Sequence, residues 1–202
     1  IRHSGDTFTL ESSEGTLQAG KVVLASDTRI AELASQLGVD IPVKPHPVQA
    51  FVTEALPPLL KPCIMAFSKE MFINQVVRGN FVVVCSDKRR ALSFDHSPTA
   101  DLFPRSAQRA IDLVPQLAQA RVLRTWGGLY SVTPDMQPVL GESCVAGLYI
   151  ALSSAKGFMT GPAAGRIMAK MIDGQACEPW VQALTPNRFN GNTALDLEPA
   201  VI

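Results

Sequence analysis

The stretch best suited to chemistry runs from Leu152 to Asp173, "LSSAKGFMTGPAAGRIMAKMID", in which a hydrophobic strand leads through a glycine loop into an amphipathic helix. Gly157 and Gly161 permit a close approach of the backbone to a ligand, or a positive φ. Pro162 suits the first position of the helix, with Thr160 or Gly161 as its cap. The free amide groups and positive dipole end of such a helix favour an anion or an electron-rich carbonyl group. A crossover helix with a tight entry loop explains the same pattern without a ligand.

Other side chains able to bind a ligand are dispersed along the chain. Arg124 and Tyr130 flank "WGG", and a guanidinium and a hydroxyl group there could bind a carboxylate. An arginine at a strand end is equally typical of a structural ion pair. Asn74 and Gln75 lie on a predicted hairpin, where the alternation of side chains prevents both from facing a ligand. His46 lies between two prolines and is predicted to be in a loop, without a role as a base.

The composition excludes several classes of function. The 202 residues carry 18 basic and 18 acidic side chains without a basic cluster, which argues against nucleic acid or an anionic membrane as the main partner. The longest apolar run, "VAGLYIAL", is far too short to span a membrane. The four cysteines lack the close spacing of a zinc or redox motif and are expected to be buried, reduced thiols of a cytoplasmic protein. The histidines are equally dispersed, so no metal site is predicted.

The elements that must position these groups fall into three blocks. The opening residues predict two alternating strands, a buried strand at 22–25 and a short helix from Thr28. A run of strand-like segments with tight connections follows and predicts an antiparallel sheet, with a helix over Ser106–Leu117. "RVLRTWGGLYSV" then predicts a strand, a glycine turn and another strand. The fold class is therefore α+β: an antiparallel sheet with flanking helices, inserted between strand–helix pieces of an incomplete second domain.

Several of these stretches resemble one known family in collinear order. "RTWGGLYSVTPDMQPVLG", "GLYIALSSAKGFMTGPAAGRIMAKMI" and "LTPNRF" are similar to the C-terminal half of FAD-dependent amine oxidoreductases of the glycine/D-amino-acid oxidase family, with sarcosine oxidase β-subunits the nearest type. "VKPHPVQAFVTEAL" and "FINQVVRGNFVVV" resemble the start and hairpin of its substrate domain. The resemblance implies FAD as cofactor. It assigns 1–41 and 124–190 to an FAD-binding domain, 42–123 to a substrate domain and 191–202 to a tail.

The resemblance also implies where the cofactor binds. In that family, the loop and helix start that match Ala155–Thr160 face the pyrimidine edge of the flavin, where amide groups stabilise negative charge on its reduced form. Family members carry a small residue and a glycine after the strand that matches "VVLA", where this chain has Ser26 and Asp27. The Asp27 side chain is expected to cap the helix from Thr28, but it would crowd or repel a diphosphate. The implied cofactor-binding residues are Ser26, Ala155, Lys156, Gly157, Phe158, Met159 and Thr160.

One departure from the family concerns a lysine. Sarcosine oxidases of this type carry it directly after the Gly-Phe of the loop, where this chain has Met159. Lys156 stands three residues earlier, and it either takes over that role or is a solvated surface lysine. The candidate catalytic residues are thus Lys156, Arg124 and Tyr130, and the candidate substrate-binding residues are Asn74, Gln75 and Arg124.

The function that follows is that of the C-terminal portion of an FAD-dependent oxidoreductase acting on the C–N bond of a small amine or amino acid. The GxGxxG motif that opens a dinucleotide-binding domain is absent from the sequence. It is expected upstream in a longer chain or on a second polypeptide, and exposed apolar surface predicts association with that partner or self-association. The alternative is a non-catalytic binding module, a structural subunit or a relic that does not bind flavin alone.

Overall fold

The computed structural model describes residues 1–87 and 89–191, and it divides into two compact units. The first unit contains residues 1–44 and the described residues from 131 onward, and the second contains residues 45–130. The strands are β1 (Arg2–Ser4), β2 (Thr7–Ser12), β3 (Gly15–Ala19), β4 (Val22–Leu24), β5 (Lys44–Ala55), β6 (Ile64–Ala66), β7 (Met71–Gln75), β8 (Asn80–Ser86), β9 (Val122–Val132), β10 (Val139–Glu142) and β11 (Leu148–Leu152). The helices are α1 (Ile30–Ser35), α2 (Leu102–Leu113) and α3 (Gly157–Ile172), and 3-10 turns occupy Asp27–Arg29, Phe67–Lys69, Pro115–Gln119, Pro179–Leu184 and Pro186–Gly191.

The first unit contains two three-stranded sheets. One is the antiparallel meander β1-β2-β3, and the other has the order β10-β11-β4. In the second sheet β4 runs parallel to β11, while β10 pairs with β11 as an antiparallel neighbour. Apolar strand residues such as Leu24 and Ile150 pack with Ile30 of α1 in one core. Ile167 and Met168 of α3 pack with Val181 in another, as the 3.6-residue periodicity of α3 predicts.

The second unit is a five-stranded sheet with the order β6-β7-β8-β5-β9. The β6–β7 and β7–β8 pairs are the tight antiparallel hairpins that the sequence predicts. Alternate residues on the central strands, including Ile73, Phe81 and Val83, form a core with Ala110 of α2 on one face. The mixed α+β class is thus confirmed, whereas the assignment of the two units to cofactor and substrate domains stays a prediction.

Local details differ from the sequence-based expectations. The helix expected over Ser106–Leu117 is α2, which ends at Leu113 and is followed by a separate 3-10 turn. No turn interrupts β9 at its glycine pair, which instead permits a close approach: a Cβ on Gly127 would lie 1.7 Å from the carbonyl oxygen of His96. His46 lies inside β5 and not in a loop.

Candidate functional site

The candidate cofactor site of the first unit lies at the carboxyl ends of β4 and β11. Leu24 lies opposite Ile150 in this parallel pair, so the two strands end at the same edge of the sheet. Ser26 follows β4 there, and residues 153–156 follow β11. In parallel sheets this edge is where ligands bind, because loops and helix N-termini converge on it.

The loop after β11 has an uncommon backbone conformation. Ser154 has a φ of 43° and Ala155 a φ of 60°, the left-handed region that L-residues other than glycine rarely occupy. This conformation costs about 1–2 kcal/mol per residue, so other contacts must hold it. Ser154 is completely buried, and its Oγ lies 2.9 Å from Oγ1 of Thr133 and accepts a hydrogen bond of 3.3 Å from the Thr133 amide.

Helix α3 begins one turn earlier than the sequence predicts. Lys156 is its cap residue, because the Thr160 amide donates to the Lys156 carbonyl at 3.0 Å and the Thr160 hydroxyl donates to it at 2.9 Å. Pro162 therefore lies inside the helix, and the predicted helix start with a Thr160 or Gly161 cap is wrong. The left-handed turn before Lys156 directs the chain into the helix before the proline is reached.

Three amide groups at this helix start are free to bind a ligand. Within the part of the chain that the structure describes, the N–H groups of Gly157, Phe158 and Met159 form no hydrogen bond. The Phe158 side chain is fully exposed and that of Met159 is 75% exposed, so neither fills the core. Adjacent free N–H groups at a positive dipole end suit an anion or an electron-rich carbonyl group.

The other cofactor candidates of the first unit lie close to the same sheet edge. The hydroxyl group of Ser26 is buried and has no hydrogen-bond partner among the described residues. Buried hydroxyl groups are normally hydrogen-bonded, and a bound ligand would supply the partner that is missing here. The expected cap by Asp27 is wrong: Asp27 itself has a φ of 51°, and no side chain caps the turn that it begins. The Lys156 side chain is half-buried and makes no ion pair with any described residue.

A buried ion pair beside this loop was missed by the sequence analysis. The Arg188 guanidinium binds the Asp135 carboxylate at 2.8 Å and 3.2 Å. A side-chain exposure of 4% for Arg188 and 0% for Asp135 makes the pair part of the interior. No local sequence signal marks this pair, because its two residues are 53 positions apart in the chain.

The second unit holds the remaining candidates. Arg124 on β9 is exposed and forms no hydrogen bond or ion pair with residues 1–87 or 89–191, so the structural ion pair considered for it is not observed. Tyr130, also on β9, lines an apolar depression with Val48, Phe72 and Val84, and burial raises the pKa of its phenol. Six residues of extended strand separate Arg124 from Tyr130 by about 20 Å, so the two do not hold one small carboxylate together.

Asn74 and Gln75 have different environments. Gln75 binds the neighbouring loop: its Oε1 accepts the amides of Leu59 and Leu60 at 2.7 Å and 2.9 Å, and its Nε2 donates to backbone carbonyls. This places Gln75 in a structural role, which corrects its expected role as a substrate ligand. Asn74 forms no hydrogen bond with the described residues and shares the opposite face of β7 with Phe72.

His46 is a second polar group that the sequence analysis did not select. Its side chain is nine-tenths buried in β5, and its Nε2 has no partner among the residues described. Burial lowers the pKa of His46, while the charge of Glu70 acts in the opposite direction. Alternation along β5 places His46 on the same face as Val48. A reading of "KPHPVQAF" as a strand that continues through its prolines would have found it.

The described residues also bear on membrane and metal binding. They contain no helix long and apolar enough to cross a membrane, and no cluster of three or more potential metal ligands. The cysteines are free, but the expectation that all four are buried is wrong, since Cys63 and Cys144 are exposed.

Comparison with known proteins identifies the class to which this fold and loop belong. The family described as "DAO: FAD dependent oxidoreductase" matches residues 1–171, and the chain belongs to this family. It is 27% identical over 188 residues to sarcosine oxidase subunit beta from an Arthrobacter species, which covers 93% of this chain and 46% of that protein. It is 28% identical to hydrogen cyanide synthase subunit HcnC from Pseudomonas protegens, over 94% of this chain and 46% of that protein.

Solved structures agree with this assignment. The structure of glycine oxidase from Geobacillus kaustophilus superposes with a TM-score of 0.86 and 25% identity, over 93% of this chain and 50% of that one. The chain thus spans about half the length of the curated relatives it matches. The free amides of 157–159 and the unpartnered Ser26 hydroxyl fit the cofactor of the family, since both can bind the carbonyl and phosphate oxygens of FAD.

Proposed function

We propose that this chain forms the C-terminal portion of a flavoprotein that oxidises the C–N bond of a small amine or amino acid. FAD supplies, when bound, the acceptor for the hydride that leaves the substrate α-carbon. The amine nitrogen loses a proton to solvent as the C=N bond forms, and water hydrolyses the resulting imine. The observation that carries the proposal is the set of free amides at the start of α3, in a chain that belongs to an FAD-dependent family.

The first unit would hold the cofactor. The amides within Ala155–Thr160 would stabilise negative charge on the flavin ring, and Lys156 would add a positive charge at the same helix end. The Thr160 hydroxyl already donates to a backbone carbonyl, so it could serve a ligand only as an acceptor. The Ser26 hydroxyl, which is otherwise unpartnered, would donate a hydrogen bond to the cofactor.

The second unit would bind the substrate. The Arg124 guanidinium group has no partner among the described residues and is suited to a carboxylate. The Asn74 amide, on the face opposite α2, likewise has no partner among them. Tyr130 would contribute a neutral hydroxyl group, because a phenol is protonated at neutral pH and burial raises the pKa of Tyr130 still further. Since about 20 Å of extended strand separates the two, a small substrate would contact either Arg124 or Tyr130 and not both.

A further polypeptide segment would complete the protein. The GxGxxG motif is absent from these 202 residues, so it would come from sequence outside them, on the same or a second polypeptide. Both relatives described above are named as subunits, which supports a partner polypeptide but does not assign the motif to it. The exposed apolar side chains of Phe158, Met159 and Trp180 also support association, with such a segment or between copies of this chain.

The test begins with the absorbance spectrum and the intact masses of the purified protein together with whatever accompanies it. A flavin spectrum that bleaches when small amino acids or N-methyl amino acids are added without oxygen would support the proposal. The variant Arg124→Met should raise KM for a carboxylate substrate by about tenfold or more without changing the flavin spectrum. Arg78→Met is the matched control, because Arg78 is also exposed and without a partner among the described residues.

Two outcomes would count against the proposal. A colourless protein that binds no FAD when it is added would favour the non-catalytic alternative, a binding module or structural subunit. A flavoprotein in which Arg124→Met and Arg78→Met have the same KM would remove Arg124 from the substrate site.

A further inference from the structure

The buried Asp135–Arg188 pair is fully hydrogen-bonded. Beyond its two bonds to the carboxylate, the Arg188 guanidinium donates to the carbonyls of Leu184 and Thr185 at 2.8 Å and 3.2 Å, and to that of Gln137 at 3.2 Å. The Arg188 guanidinium also lies 4.2 Å from the ring centre of Phe189. All three guanidinium nitrogens therefore have acceptors, and the planar group is fixed in one orientation.

Two hydroxyl groups continue this network from the Asp135 carboxylate. The Thr133 hydroxyl lies 3.0 Å from Oδ1 of Asp135 and 2.9 Å from the hydroxyl of Ser154. The Gln137 carbonyl also lies 3.0 Å from the Thr133 hydroxyl. Both this carbonyl and the carboxylate can only accept, so the single Thr133 proton is directed to them, and Ser154 must then donate to Thr133. These two acceptors thus set the direction of the bond between the hydroxyls.

Ser154 is the first of the two left-handed residues that precede α3. Its side chain forms hydrogen bonds with the Thr133 backbone and hydroxyl, and with no other described residue. The network therefore ends on the residue whose backbone carries the strain, and two residues later the chain reaches the cap of the helix. A change in Ser154 would propagate directly to the orientation of the free amides at 157–159.

A buried ion pair is weak evidence for stability, because well-packed apolar residues of similar volume are often as stable. Its distinctive property is that it satisfies many polar groups in a single geometry. That property is useful beside a loop whose amides must have fixed directions before the ligand arrives.

We propose that Asp135 and Arg188, acting through the hydroxyls of Thr133 and Ser154, are positioning residues for the cofactor-binding amides of α3. This inference rests on the proposed function, because it assigns the network to the same FAD site. None of the four residues needs to touch the cofactor.

The test uses Thr133→Val and Ser154→Ala in the complete flavoprotein, this chain together with the segment that carries GxGxxG. Thr133→Val keeps the side-chain shape and removes the hydroxyl. Ser143→Ala is the matched control: Ser143 is also buried in the first unit, and its hydroxyl bonds the amide and carbonyl of Val145 in a turn away from the loop. The FAD dissociation constant and the midpoint potential of the bound flavin are measured for each variant.

We expect the dissociation constant to rise about tenfold in Thr133→Val and Ser154→Ala, the effect of losing about 1.4 kcal/mol of binding. The midpoint potential of the flavin that remains bound should fall, because misdirected amides stabilise negative charge less. A purely structural role would reduce the amount of folded protein without moving the potential of the folded fraction. Faster hydrogen exchange at the Lys156 and Thr160 amides, which are bonded within this turn, should accompany the change.

The outcomes separate the two proposals. If the wild-type protein binds FAD and both variants match Ser143→Ala in affinity and potential, the positioning role is overturned and the proposed function stands. If the wild-type protein binds no FAD, the proposed function fails, and the positioning role falls with it.

Discussion

The two units each contain an ion pair that joins distant parts of the chain, but the two pairs differ in their surroundings. Arg188 and Asp135 are 53 residues apart in the first unit, with side chains 4% and 0% exposed. Arg121 and Glu54 are 67 residues apart in the second unit, with side chains 84% and 28% exposed. In both pairs the guanidinium group donates two short hydrogen bonds to the carboxylate, so distances alone do not distinguish them.

This difference in burial shows how each unit holds its connecting segments in place. In the first unit, buried charges require a partner for every polar atom, and the segments that supply those partners are held together. In the second unit, water can replace a lost partner of Arg121, and the loops are fixed by other means. The Gln75 amide binds the loop at 56–60, and the backbone at His96 lies against Gly127.

The largest expected effect comes from breaking the buried pair. Asp135→Ala leaves the Arg188 guanidinium buried without its carboxylate, and we expect the free energy of unfolding to fall by about 3–5 kcal/mol. Urea denaturation followed by circular dichroism measures the change.

Arg121→Ala is the corresponding change in the second unit. Arg121 holds the pKa of Glu54 below its usual value, but solvent screens an exposed pair, so little change in the denaturation midpoint is expected. Equal losses of stability in the two variants would remove the distinction between the pairs.

A smaller effect is expected from the close backbone contact of the second unit. Gly127→Ala places a methyl group against the His96 carbonyl, and the required shift should cost about 1–3 kcal/mol. Thermal unfolding measures the loss. At the neighbouring Gly128 an added Cβ would have its nearest neighbour at 4.0 Å, so Gly128→Ala should be close to neutral. If both variants unfold at the wild-type temperature, the glycine pair has no packing role.

The difference between local and long-range contacts explains which features the sequence could predict. The β7–β8 hairpin and the apolar stripe of α3 were predicted correctly, because periods of 2.0 and 3.6 residues are local signals. The start of α3 was predicted wrongly, since the left-handed conformation of Ser154 depends on Thr133, which lies 21 residues away. Strand alternation could indicate that Asn74 and Gln75 lie on opposite faces of the sheet, but not which of them binds a loop.

The features of the candidate site also divide into those with a local sequence signal and those without one. The free amides at 157–159 follow from any helix that starts after a glycine loop, so sequence could indicate them. The Asp135–Arg188 pair could not be predicted, because an acid and a base 53 residues apart carry no periodic signal.

The smallest expected effect concerns His46 of the second unit, whose buried Nε2 has no partner among the described residues. The ordinary pKa of His46 is 6.5, and burial lowers it in the folded state although Glu70 opposes the shift. The unfolded chain therefore binds the proton more tightly, and protonation favours unfolding. The free energy of unfolding should fall as the pH drops below about 6.5, with the stabilisation of the neutral form fully present above it.

Urea denaturation at about pH 7.5 and about pH 5.5 tests this dependence. His46→Gln should lose less stability between the two conditions than the wild type. His96→Gln, which changes an exposed histidine of the same unit, should keep the wild-type difference. Carboxylates such as Asp87, whose pKa Arg89 lowers, are already ionised over this interval and contribute little to it. An undiminished loss in His46→Gln would mean that His46 is not the source of the pH dependence. The comparison between the units would then rest on their ion pairs alone.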